Sequence, residues 1–253
     1  MQEFVPQSVQ ELIDLLQVRA ESCYFRGQSN NQWVLNSTLA RELRGETTYL
    51  PRDYIPKEPL ETWTVQNLLN YHKIILSRWE PTEELLNYLA GKGDPYLDII
   101  REVQQEKLKP KIHNAIPNHP TPTIEFSNNP SIALFFGSNG IFEKDKDGAV
   151  FCLDKGSILI ESSFPFALSR MKLFGEIRPC AIISERTTND LGNPKPKRQE
   201  AVYVFQRDLR KPIDHYLPIE KIVIKRVLKA EIEALLGTQG ITDEYVYARD
   251  YGR

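Results

Sequence analysis

The chain has 253 residues, 41% hydrophobic and 26% charged, which is enough to bury a core without staples and ordinary for a globular protein. A formal net charge of -2 argues against coating nucleic acid by bulk electrostatics, and no apolar run is long enough for a membrane-spanning helix. Cys23, Cys152 and Cys180 form no C-x-x-C pair and the four histidines no H-E-x-x-H, so neither a disulfide framework nor a metal site is expected.

The chain starts M-Q-E-F-V-P-Q-S, with no basic n-region or apolar h-region, and together with the cysteine pattern this sets a cytoplasmic location as the expectation. Ser8 to Ala20 opens with a capping-box pattern, Ser8 then Glu11, and carries Val9, Leu12, Ile13 and Leu16 at helical spacing. A short strand, Cys23 to Arg26, follows, with Gly27 freeing the backbone to turn. Thr38 to Leu43 reads as a short helix, and Tyr49 to Pro59 as a proline-rich loop.

Three helical stretches come next: Leu60 to Arg78, Pro81 to Leu89 and Pro95 to Leu108. Pro110 to Thr123 holds four prolines and forces an extended path. Thr123 to Phe126 is then a strand, Ser127 a helix N-cap, and Ser131 to Phe136 the start of a helix. Strands are expected at Ala149 to Leu153, Ser157 to Ile160, Ala181 to Ile183, Ala201 to Phe205 and Ile222 to Val227, and a last helix at Ala230 to Leu236, ended by Gly237. Helices precede strands and no βαβ alternation is visible. The expected class is α+β, with a mixed, mainly antiparallel β-core and N-terminal and mid-chain helices.

Three stretches could carry chemistry. In Y-F-R-G-Q-S-N-N-Q-W, Arg26 stands directly behind two aromatic residues at the mouth of a strand. It either satisfies a carboxylate or carbonyls, or binds an anion in a cleft. Glu125 lies between Ile124 and Phe126 and faces opposite to them, towards solvent or towards a cation such as Arg26 or Arg41. Gln199 and Glu200 enter a strand from a basic loop, L-G-N-P-K-P-K-R, where a carboxylate is either an edge charge or a functional group. There is no P-loop, no G-x-G-x-x-G and no G-x-S-x-G.

With these stretches in view the chain resembles the FRG-domain family of bacterial proteins. The first motif is Phe25-Arg26-Gly27-Gln28 followed by Trp33, Leu35 and Arg41. The second is Pro120, Thr121, Ile124, Glu125, Phe126, Ser127, Pro130, Ala133, Leu134, Phe136 and Gly137, and the third runs Gln199 to Tyr203. Leu236, Gly240, Ile241 and Tyr245 fit a terminal segment. The departures are A-I-P-N-H at Ala115 to His119 in place of Q-H-Y-G, Glu125 for aspartate, Phe126 for tryptophan and Ala201 for glycine.

The resemblance implies one FRG domain over 1–253 with a helical insertion at about 60–110, similar to ADP-ribosyltransferases. It implies an enzyme that splits NAD and passes ADP-ribose to a nucleic-acid or protein acceptor, in a bacterial toxin or anti-phage effector. Glu200 and Gln199 would be the catalytic residues. Arg26, Gly27, Gln28, Ser127, Tyr24 and Trp33 would hold NAD, and Glu125, Lys197 and Arg198 would face the acceptor. The alternative is a non-catalytic module that senses a nucleotide or nucleic acid. The resemblance leaves the oligomeric state undefined and implies neither metal nor membrane.

Overall fold

The computed structural model describes residues 1–46, 58–64, 67–68, 123–139, 143–158, 160–161, 180–183, 198–206 and 208–247. They build a mixed α/β fold on one mostly antiparallel sheet. Its strands are β1 (Gln2–Phe4), β2 (Cys23–Gln28), β3 (Thr123–Ser127), β4 (Gly148–Asp154), β5 (Ile160–Glu161), β6 (Cys180–Ile183), β7 (Ala201–Gln206) and β8 (Ile219–Ile224). The strand order is β1-β8-β4-β2-β3-β7-β6-β5, and only the outermost pairs, β1 with β8 and β5 with β6, run parallel. The helices are α1 (Val9–Gln17), α2 (Thr38–Leu43), α3 (Pro130–Ser138), α4 (Lys229–Thr238) and α5 (Asp243–Tyr247).

Alternation along the strands divides the core between the two faces of the sheet. Cys23 and Phe25 of β2, with Val150, Cys152, Ile222 and Ile224, pack against Leu12 and Leu16 of α1, Ile132 to Phe135 of α3 and Ile232 of α4. Ile124 and Phe126 of β3, with Phe151, Val202 and Val204, pack on the other face against Leu35 and Ile213. The first six residues of β4 are all buried, as a central strand covered on both faces requires.

Local chemistry sets the helix starts. Ser8 Oγ accepts from the Glu11 N–H at 3.2 Å, while the Glu11 carboxylate reaches Gln7 N at 2.7 Å, one residue beyond the capping-box partner. Ser37 Oγ accepts from Ala40 N, and Asn129 Oδ1 from Ser131 N, with Pro130 in the first turn of α3. Helix α3 lies directly on β2 and β4. A Cβ at Gly27 would sit 1.8 Å from the Ala133 carbonyl oxygen, and one at Gly148 only 2.0 Å from that of Gly137.

Several boundaries differ from the expectations above. Strand β2 continues through Gly27 to Gln28, so this glycine makes room for a helix inside a strand and does not turn the chain. Asn129, not Ser127, caps α3, because Ser127 is still paired in β3. Lys155–Ser157 is a single 3-10 turn capped by Asp154, where a strand from Ser157 was expected. Strand β8 runs Ile219–Ile224 and gives way to a 3-10 turn at Arg226–Leu228. Helix α4 passes through Gly237, and it is Gly240, at φ +76°, that ends the turn beyond it. Of the helices expected between Leu60 and Leu108 only residues 60–64, with the 3-10 turn Leu60–Thr62, and residues 67–68 are described; the rest of that insertion lies outside the described residues.

Candidate functional site

The sheet splits at its centre. Strand β2 keeps six register pairs with β4, and β3 keeps five with β7, but β2 and β3 share only Phe25↔Ser127. Beyond that pair the strands diverge. The Arg26 Nη1 donates across the gap to the Glu125 carbonyl oxygen at 2.6 Å. A side chain thus takes an acceptor that a continuous ladder would have given to a backbone N–H.

Two adjoining cavities lie at the split, with Arg26, Gly27 and Phe136 lining both. The inner one, about 170 Å3, lies between Phe25, Arg26 and Gly27 on one side and Glu125, Phe126 and Ser127 on the other, with Gln199 behind. The outer one, about 630 Å3, is lined by Gln28, Trp33, Asn36, Arg41, Glu46, Asn139 and Tyr247 as well. That volume lies within the usual span of small-molecule sites.

Arg26 is the charge at the junction. Burial pushes its guanidinium down to about 10; the Glu125 carboxylate works against that shift and Arg41 adds to it. No carboxylate oxygen among the described residues comes within ion-pair distance of Arg26 or Arg41, and both Nε atoms are buried without a hydrogen-bond partner. Among the described residues these two neighbouring cations have no carboxylate bridging them, although Glu125 acts on Arg26 from a distance and Glu46 lines the outer cavity with Arg41; a bound anion would stabilise both charges.

Arg41 is held in place from behind. Gln206 is fully buried; its Oε1 accepts from Ser37 N at 2.7 Å, and its Nε2 donates to Asn36 Oδ1 and the Lys211 carbonyl. Ser37 then caps α2, the helix that carries Arg41. Trp33 stands at the outer rim with 45% of its surface exposed, an unusual position for an indole.

The floor of the inner cavity is polar on one side. Ser127 Oγ donates to the Gln199 carbonyl oxygen at 2.6 Å and accepts from Asn129 N at 2.9 Å. Gln199 is 1% exposed, and its Nε2 donates to the Val246 carbonyl at 3.0 Å. Tyr203 faces Glu125 in the β3–β7 register, and burial together with that carboxylate raises its phenol to about 12.

The split therefore gathers Arg26, Gly27, Gln28, Trp33, Glu125, Ser127 and Gln199. Other residues singled out from the sequence lie elsewhere. Glu200 precedes β7 and does not enter it: its φ is +47°, it is exposed, and its Oε1 accepts from Asn129 Nδ2 at 3.0 Å, outside both cavity linings. Tyr24 also lines neither cavity, and Lys155 Nζ sits 5.1 Å from its ring centroid. Arg198 is close to the Glu244 carbonyl at 3.5 Å, and Lys197 lies outside the described residues.

Arg41, Asn36, Phe136 and Tyr247 are among the other lining residues, and sequence reasoning gave none of them a binding role. For Arg41 the available signal was its place in the first motif, on a short helix beside Leu39, Ala40, Glu42 and Leu43. No protein-family profile, no curated protein and no solved structure matches the chain.

Proposed function

We propose that the split cleft binds NAD and that the protein is an ADP-ribosyltransferase-like enzyme passing ADP-ribose to a nucleic-acid or protein acceptor. The observation that carries this reading is the pair of guanidiniums, Arg26 and Arg41, unbridged among the described residues, on an outer cavity that adjoins an inner pocket lined by Glu125. A pyrophosphate is a multi-oxygen anion suited to two planar forks. Trp33 at the rim offers a flat face for a base. The FRG-like motifs support the same reading, since most of the gathered residues belong to them. The toxin or anti-phage role rests on the resemblance alone.

In the reaction the bond between ribose C1′ and the nicotinamide nitrogen breaks, and its electron pair leaves with nicotinamide. The ribose carries the developing positive charge, which a nearby carboxylate stabilises. An acceptor oxygen or nitrogen then bonds to C1′ and releases its proton. Because Glu125 lines the inner pocket and Glu200 does not, Glu125 takes the carboxylate role in this proposal. Gln199 remains in the pocket as a polar wall.

A second reading, a non-catalytic nucleotide sensor, is favoured by the exposed placement of Glu200 on Asn129. Following nicotinamide release from NAD, with and without added DNA, RNA or cell lysate, separates the two. Release dependent on one class of acceptor supports a transferase and names its target. NAD binding without release in any mixture supports the sensor.

A further inference from the structure

We infer that Gln199 is a positioning residue: its amide docks helix α5 at the cleft and thereby sets Tyr247 on the wall of the outer cavity. The docking stands on contacts within the chain. Its effect on a ligand rests on the nucleotide reading of the cleft, and deepens it by naming what holds that wall.

Helix α5 has five residues, Asp243–Tyr247, too few to keep a helix by hydrogen bonds of its own. Its place is therefore set by what it touches. Val246 is fully buried and joins the cluster that packs α1, α3 and α4 on the sheet. The Tyr247 ring stands edge-on to Phe135 and Phe136, at centroid distances of 6.0 and 6.1 Å. At the surface Asn139 Nδ2 donates to Asp243 Oδ1 at 2.9 Å. The buried polar anchor is Gln199, whose Nε2 donates to the Val246 carbonyl at 3.0 Å. That carbonyl lies in the last turn of α5, where carbonyls lack a partner within their own helix.

The backbone of Gln199 is held as well. Its carbonyl accepts from Ser127 Oγ at 2.6 Å, and the next carbonyl, of Glu200, accepts from Asn128 N at 3.0 Å. The end of β3 thus grips residues 199 and 200, and the Gln199 amide passes that hold on to α5. Three residues of this assembly, Phe136, Asn139 and Tyr247, line the outer cavity. Whatever packs on Tyr247 there also stabilises docked α5, and releasing α5 weakens its binding by the same factor.

The test is NMR-detected hydrogen exchange on the full chain, read at the Val246 N–H, which donates to the Thr242 carbonyl at 2.9 Å. Gln199→Met keeps the length of the side chain and removes the donor. The expected result is exchange at Val246 faster by about tenfold or more, with the β4 amides as protected as in the wild type. Equal protection of Val246 in the two proteins overturns the inference. So does a loss shared equally by β4, which marks Gln199 as a support of the whole fold. Should Gln199→Met fail to fold, Gln199→Asn, an amide one carbon shorter, takes its place with the same expectations.

ADP is the probe of the cleft. Gln199→Met is expected to weaken its binding about tenfold, and to add nothing in a Tyr247→Ala background. Unchanged affinity in Gln199→Met, or an equal loss in both backgrounds, overturns the positioning role. No ADP binding by the wild type contradicts the nucleotide reading instead, and exchange at Val246 still decides the docking.

Discussion

Arg26 combines two roles that are usually alternatives. Its Nη1 holds the Glu125 carbonyl across the split, while the residue also lines both cavities. Burial lowers its pKa to about 10, so the free fold carries the cost of a buried cation below that pH and is relieved of it above. A bound phosphate reverses the balance, because it stabilises the charged form. The affinity for ADP is therefore expected to fall as pH rises through about 10, and titration calorimetry of Arg26→Ala should show no such inflection. Arg26→Ala and Arg41→Ala should each weaken ADP binding roughly 10- to 100-fold at neutral pH, the usual range for charge-assisted hydrogen bonds. Comparable binding by wild type and Arg41→Ala would remove Arg41 from the site.

Among the elements, α3 and β2 decide where the cleft opens. The helix is apolar around its circumference and reaches the sheet only because Gly27 and Gly148 present no side chain. Gly27→Ala forces the helix backbone away and is expected to destabilise the fold by at least about 3 kcal/mol, read as a lower urea midpoint. An unchanged midpoint would mean that the close approach is not needed for stability. Legibility in the sequence follows the same physics. Helix α1 was readable because Ser8 caps a short amphipathic run. The role of Gly27 was not, since a glycine that lets a helix approach and one that turns the chain look alike until the partner helix is placed. The position of Glu200, one residue before β7, was hidden for a similar reason. A strand pattern assumes ordinary backbone, and a positive φ just before β7 rotates its carboxylate to the surface, while Gln199 stays buried.

Over the whole molecule, residues from both ends of the sequence meet at one place. Arg26 comes from a strand near the start, Glu125 from the middle and Gln199 and Tyr247 from the last quarter, and the site exists only because β2 and β3 part after a single pair. Motif order along the chain was enough to single out Arg26, Glu125 and Gln199, but not to show that Glu125 lines the inner cavity and Glu200 does not. The choice between those carboxylates is the central claim. It is tested most directly by measuring nicotinamide release from NAD for wild type, Glu125→Gln and Glu200→Gln side by side, under the acceptor conditions that support turnover. The account predicts that Glu125→Gln lowers turnover about 100-fold or more with NAD affinity roughly intact, and that Glu200→Gln behaves as wild type. Turnover that survives Glu125→Gln and disappears in Glu200→Gln would contradict it.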